Sequence, residues 1–384
     1  MAERELLDPT LISQEVEYLR RGLQRLIVGQ DEAIREILKV YQKSLAGMSS
    51  PRKPVGSFLF LGPTGSGKTR IVEAMAKNLT GNERALVKIN CAEYCHSHEI
   101  AKLIGSPPGY LGHRETHPKL SQAVLNQYQT EKVQLSLVLF DEIEKASGSL
   151  WNLLLGILDK ATLSLGDNSV VDFSQCIIFL TSNLGAREIS SILRPNLGFA
   201  AGVEQLRLGG RDTEIASKIT HTSEEAARRN FTPEFINRLD KIVVFKPLGP
   251  EEFKKILEIE LRLFQQRIFD SIGSRSFIFS VSEGVRDYLL REGTDERYGA
   301  RYLQRAIERL VVNPFSNLVA TDQLRGGDVA ALEYDPKNNR ILFFRDAENV
   351  SLQEMANITG GEVVIKSPAT SRIPNPKGFK KTRP

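Results

Sequence analysis

The stretch Gly62-Pro63-Thr64-Gly65-Ser66-Gly67-Lys68-Thr69 fills every fixed position of the pattern GxxxxGKT and constrains the fold more than any other part of the chain. An apolar run of strand length, Ser57 to Leu61, precedes it, and Arg70 to Leu79 follows with apolar residues at helical spacing. The order is therefore strand, loop, helix. Glycines let the loop backbone curl so that consecutive N–H groups point at phosphate oxygens, and the first turn of the helix adds the positive end of its dipole. In this pattern Lys68 reaches the β- and γ-phosphates of ATP, and Thr69 offers its hydroxyl to Mg2+. The fixed positions arise by accident in roughly one chain in a hundred of this length, before the flanking strand and helix are counted.

Short apolar runs at Phe58 to Leu61, Ala85 to Ile89, Leu137 to Phe140 and Ile177 to Leu180 are separated by helical or loop segments. Several are continuously apolar rather than alternating, as strands buried on both faces of a parallel sheet require. The pattern predicts an α/β architecture. Ahead of the phosphate loop, residues 11 to 26 read as an amphipathic helix, and Asp31 is placed to cap a second one reaching Leu45. Beyond Lys246-Pro247-Leu248-Gly249-Pro250 the chain turns mainly helical, over Glu251 to Phe269, Glu283 to Glu292 and Ala300 to Leu318. Asp335 to Asn339 then reads as the turn of a hairpin joining Val329 to Tyr334 with Arg340 to Phe344. From Lys366 onward there are six basic residues, four prolines and no acid, the composition of a disordered tail.

A chain of 384 residues exceeds what one core usually serves, which favours two domains. The expected division is an N-terminal helix over 1–26, a large domain over 27–248, a small domain over 249–350 and the basic tail over 351–384. The net charge of +4 balances 51 basic against 47 acidic side chains, so nucleic-acid binding by the body of the protein is not expected. Three cysteines suggest a reducing compartment. With neither a leader-like N-terminus nor an apolar run long enough to cross a bilayer, the expected location is cytoplasmic, away from membranes.

A second motif, Leu137-Val138-Leu139-Phe140-Asp141-Glu142, is an apolar strand ending in two carboxylates. Neighbouring strand residues point to opposite faces, so Asp141 can hold the magnesium shell while Glu142 polarises an attacking water. A third strand, Ile177 to Ser182, delivers Asn183 to the carboxyl edge of the sheet, where it can orient that water.

Together with Phe231-Thr232-Pro233-Glu234-Phe235-Ile236-Asn237-Arg238-Leu239-Asp240 and Tyr298-Gly299-Ala300-Arg301, these motifs resemble the second AAA+ module of the Clp unfoldases and disaggregases. The resemblance covers roughly residues 20 to 345. It implies an AAA+ P-loop NTPase large domain with a parallel sheet, a smaller α+β C-terminal lid domain, and assembly into a ring, usually a hexamer. It further implies that Arg238 is an arginine finger inserted into the neighbouring subunit's ATP, that Arg301 is a sensor reaching the nucleotide from the same chain, and that Ile27 and Val28 belong to the adenine pocket. Gly105 to Gly112 resembles the pore loop whose aromatic and aliphatic pair, here Tyr110 and Leu111, grips a translocating polypeptide. The family's usual aromatic and acidic continuation is replaced by His113-Arg114-Glu115-Thr116-His117. Ser164 to Ser169 stands where the family has its second pore loop. Leu197-Gly198-Phe199 resembles a tripeptide that docks some members on a Clp-type peptidase.

The family implies an ATP-dependent motor that unfolds or remodels polypeptides. The resemblance covers one AAA+ module, so the chain is expected to act as a single-module protein. Two other readings stand beside this one: a nucleic-acid remodelling or loading ATPase that uses the basic tail, and an ATP-gated scaffold. A cluster of Cys91, Cys95 and His98 would share one face of a helix, but with no fourth ligand nearby it is expected to be core rather than a metal site.

Overall fold

The computed structural model describes residues 8, 10–106, 118–186, 188–189, 212–272, 276–295, 299–347 and 350. The chain divides into two compact units. The first holds residues 1–256 and 294–302, and the second holds 257–293 and 303–384.

The first unit is built on a parallel sheet of five strands, β1 (Gly56–Leu61), β2 (Val87–Asn90), β3 (Ser136–Asp141), β6 (Cys176–Ser182) and β7 (Lys241–Val244), in the order β2-β3-β6-β1-β7. Every pairing in it is parallel. Alternate residues of β1 supply two separate cores, Phe58 and Phe60 on one face, Leu59 and Leu61 on the other. That division explains why the run is apolar without interruption: each face is covered, and neither can admit a polar side chain cheaply. On the first face Phe58 and Phe179 stack at 5.5 Å, and Phe60 meets Phe245 at 4.9 Å.

Helices α1 (Gln14–Gln24), α2 (Asp31–Leu45) and α3 (Lys68–Thr80) contribute to the same core. Helix α1 starts where the Ser13 hydroxyl accepts the Val16 N–H, and it buries Val16, Leu19 and Leu23. Burying a side chain of this size contributes about 1.5–3 kcal/mol. The opposite face is covered by the helix Gly148–Lys160, through Leu150, Leu154 and Ile157, and by Phe231 and Phe235.

Asp31, expected as a cap, is instead the first residue of α2, and Gln30 takes the cap position without capping. The Gln30 side chain is used elsewhere. Its amide nitrogen donates to the carbonyls of Ser66 (3.2 Å) and Lys246 (3.0 Å), and its oxygen accepts the Lys246 N–H (3.1 Å).

The segment Ser164 to Ser169 forms the end of a small hairpin, with β4 (Thr162–Ser164) antiparallel to β5 (Val170–Asp172) and Asn168 in the left-handed region at φ 66°. Cys91 and Cys95 do not share a helix face with His98. Two separate 3-10 turns, Cys91–Tyr94 and Ser97–Ile100, take the place of one helix, leaving Cys91 buried and Cys95 exposed. Among the described residues no cluster of His, Cys, Asp and Glu is arranged to hold a metal ion, and no helix is long and apolar enough to cross a membrane.

The second unit carries a three-stranded sheet in the order β10-β9-β8, in which β8 (Ile278–Val281) runs parallel and β10 (Arg340–Ala347) antiparallel to β9 (Val329–Asp335). Its core centres on Phe315, whose ring lies 5.2 Å from Phe277, 5.3 Å from Phe279 and 5.1 Å from Phe343. Buried Gln265 supports the start of β8 by donating to the Phe277 carbonyl and accepting the Phe279 N–H, at 2.8 and 3.0 Å.

Candidate nucleotide-binding site

The carboxyl ends of β1, β3 and β6 deliver the sequence-predicted residues to one edge of the sheet. β1 runs into the phosphate loop, where Gly62, Gly65 and Gly67 have φ of 142°, 76° and 101°. A side chain at Gly62 would also place its Cβ 2.6 Å from the Phe245 carbonyl oxygen. Gly67 stands at the cap position of α3 with no side-chain hydrogen bond, so the N–H groups of the first turn are left for an anion.

Lys68 is buried, and its ammonium donates to the carbonyls of Gly62 (2.7 Å) and Pro63 (2.9 Å) and to Asn183 Oδ1 (3.0 Å). All three acceptors are neutral. Burial lowers the ammonium to about 8, with Glu144, Asp141 and Glu142 pulling it upward and Arg301 adding to the fall. A buried cation held only by neutral oxygens is suited to a phosphate group.

The Thr69 hydroxyl lies 3.3 Å from Asp141 Oδ1, and the Thr181 hydroxyl also donates to that carboxylate. Hydroxyl and carboxylate oxygens at a phosphate site are the hard donors that suit magnesium. Glu142 follows in the left-handed region, at φ 59°. Its N–H donates to Thr181 Oγ1 at 3.1 Å, and its carboxylate accepts from Lys145 Nζ at 2.6 Å. Asn183 Oδ1 also accepts from the Thr64 hydroxyl at 3.4 Å.

Gly299 and Ala300 abut the phosphate loop. The Ala300 N–H donates to the Gly65 carbonyl at 3.1 Å, and a Cβ on Gly299 would lie 2.8 Å from that carbonyl. Exposed Arg301 comes next, in the helix Ala300–Ile307. A small pocket beside the loop is lined by Pro63, Gly65, Pro247, Leu248, Phe253 and Gly299. Ile27 is buried and Val28 half-buried, just ahead of Gly29. Arg238 has its guanidinium on the Leu155 carbonyl (3.1 Å) and Glu234 (2.9 Å). Tyr110, Leu111, Tyr298 and the tripeptide Leu197-Gly198-Phe199 lie outside the described residues.

Two consecutive family models match this chain: the AAA domain (Cdc48 subfamily) over residues 53–242, and the C-terminal, D2-small domain of ClpB protein over residues 248–332. The chain is a Clp-type AAA+ protein. It is similar to the chaperone protein ClpB of Gloeobacter violaceus, at 35% identity over 328 residues, covering 85% of this chain and 34% of that one. Two solved structures are similar to this Clp-type chain. One is the Saccharomyces cerevisiae Hsp104:casein complex in its extended conformation, with a TM-score of 0.71 and 28% identity over 86% of this chain and 53% of the other. The other is a closed state of Hsp104 with ATPγS and FITC casein, with a TM-score of 0.69 and 27% identity over 86% of this chain and 52% of the other. The chain thus spans about a third of the length of the first and about half of the Hsp104 chains.

Two further residues at the site, Gln30 and Glu144, carry no local sequence signal. Gln30 lies in the gap between the two helices that the sequence predicts ahead of the phosphate loop. Glu144, two residues beyond the candidate base, accepts the Asn183 N–H at 3.1 Å.

Proposed function

We propose that this Clp-type protein is a Mg-ATP-dependent, ring-forming motor that unfolds or remodels polypeptides by threading them through a central pore. The observation that carries the reading is the buried Lys68 ammonium, held by neutral oxygens alone beside the Thr69–Asp141 pair. Bound Mg-ATP supplies the phosphoanhydride whose cleavage drives the motor. Lys68 and the N–H groups of the loop hold its phosphates, Thr69 and Asp141 hold the magnesium shell, and Val28 contributes to the adenine pocket. Glu142 accepts a proton from the attacking water and Asn183 orients that water. Arg301 reaches the phosphates from the same chain, and Arg238 completes the site of a neighbour in a homohexamer.

Tyr110 and Leu111 grip the polypeptide. Casein in the two Hsp104 complexes supports this choice of substrate class over nucleic acid. Docking on a Clp-type peptidase would fall to Leu197-Gly198-Phe199. In this reading the large domain spans 27–248 and the small domain 249–350, and the motor works in the cytoplasm.

The test is ATP-dependent unfolding of a stably folded fluorescent protein bearing a disordered tail. Wild type should extinguish the fluorescence, Tyr110→Ala should fail at an equal ATPase rate, and Glu142→Gln should bind ATP without turnover. ATP hydrolysis with no unfolding of any tailed substrate would overturn the threading motor. Turnover at the wild-type rate by Glu142→Gln would remove that residue as the base.

A further inference from the structure

The ladder between β3 and β6 pairs residues as far as Phe140 and Leu180. Beyond that point side chains continue the joining of the two strands. Thr181 Oγ1 donates to Asp141 and accepts the Glu142 N–H, and then Glu144 Oε1 accepts the Asn183 N–H at 3.1 Å. We propose that Glu144 is a positioning residue, a clamp that fixes the end of β6 against the acidic turn so that the Asn183 side chain stays beside Lys68.

The left-handed backbone of Glu142 starts a short 3-10 turn, Ile143–Lys145, and Glu144 lies in that turn. Ile143 anchors it with a fully buried side chain. The clamp holds a main-chain atom, so it sets where the Asn183 side chain begins, while the Lys68 and Thr64 contacts, at 3.0 and 3.4 Å, set where it ends. The second carboxylate oxygen of Glu144 is buried without a hydrogen-bond partner. A packing role alone would be filled at lower cost by an apolar side chain, since a buried, unpaired carboxylate oxygen is destabilising.

The proposal rests on the hydrolytic reading of the site, and its test separates the two. Glutamine at this position keeps an acceptor oxygen, and alanine does not. In the full-length chain, Glu144→Ala should raise amide hydrogen exchange at Asn183 about tenfold while Glu144→Gln stays near wild type. Steady-state ATPase should show kcat down about tenfold in Glu144→Ala with KM within about twofold, and recovery in Glu144→Gln. Where alanine prevents folding, Glu144→Met fills the space without an acceptor and serves in its place.

Unchanged exchange at Asn183 in the alanine or methionine variant would overturn the clamp, as would a glutamine variant no better than alanine. If wild type itself hydrolyses no ATP, the hydrolytic reading fails and exchange at Asn183 alone decides whether the clamp exists.

Discussion

The Lys68 ammonium and the Asn183 side-chain oxygen meet at 3.0 Å across 115 residues of sequence. The contact ties the phosphate loop to the end of β6, and phosphate binding has to share or replace it. Asn183→Ala should therefore leave ATP affinity within a few-fold of wild type, because the ammonium keeps two carbonyl acceptors. Turnover should fall by roughly 10²-fold through the loss of a water-orienting group. Fluorescent-nucleotide titration and a coupled ATPase assay would check the two halves.

The depressed Lys68 pKa carries a pH signature. Near pH 9 the free protein holds this lysine mostly neutral, since burial lowers it from 10.5 to about 8. Phosphate binding restores the charge, so ATP uptake should draw about one proton at pH 9 and almost none at pH 6.5. Calorimetry in buffers of different ionisation heat reads this directly. The unfolded chain binds the proton more tightly than the folded one. Stability should therefore decline as pH falls from 10.5 to about 8 and level off below, by about 3 kcal/mol for this group.

Gly299 combines φ 56° with a would-be Cβ 2.8 Å from the Gly65 carbonyl. Gly299→Ala should displace the phosphate loop, weaken ATP binding about tenfold or more and lower stability by roughly 1–3 kcal/mol. Thermal melts with and without ATP would show a reduced Tm and a smaller shift on ligand addition. A variant with the wild-type shift would show that the loop has room to give.

Arg238 is held by Leu155 and Glu234, and the Glu234 side chain is 61% exposed. Its loss should cost the subunit about 1 kcal/mol or less, yet abolish hydrolysis by roughly 10³-fold if it acts on a neighbour's ATP. Mixing Arg238→Ala with Glu142→Gln subunits distinguishes this from a local role. Each mutant is inactive alone, and mixed assemblies should recover part of the activity as an intact finger meets an intact base.

The parts of the fold legible in the sequence are those where one local rule dominates. Strands buried on both faces announce themselves as unbroken apolar runs, which exposed β1, β3 and β6. The edge strand Lys241–Val244 passed unread because only its last two residues are buried. β8 likewise has one buried residue in four and no periodicity to display. At the site, the glycine pattern and the paired carboxylates are visible because the chemistry dictates residue type at fixed spacing. Gln30 and Glu144 act through contacts with residues far along the chain, at 216 residues in the case of Lys246, and no local pattern encodes such a partner. Cys91, Cys95 and His98 do not share a face for a related reason: that arrangement presumes one helix, and two short turns replace it.

The strand order also bears on how this protein emerges from a ribosome. β1 feeds the phosphate loop and lies between two strands made much later, pairing Gly56 with Ile177 and Phe58 with Lys241. Until those partners are synthesised, both edges of β1 are bare, and Gln30 has no Lys246 to tie to. The nucleotide therefore cannot stabilise the nascent chain until most of the first unit is made, and this strand must be shielded from aggregation while it waits.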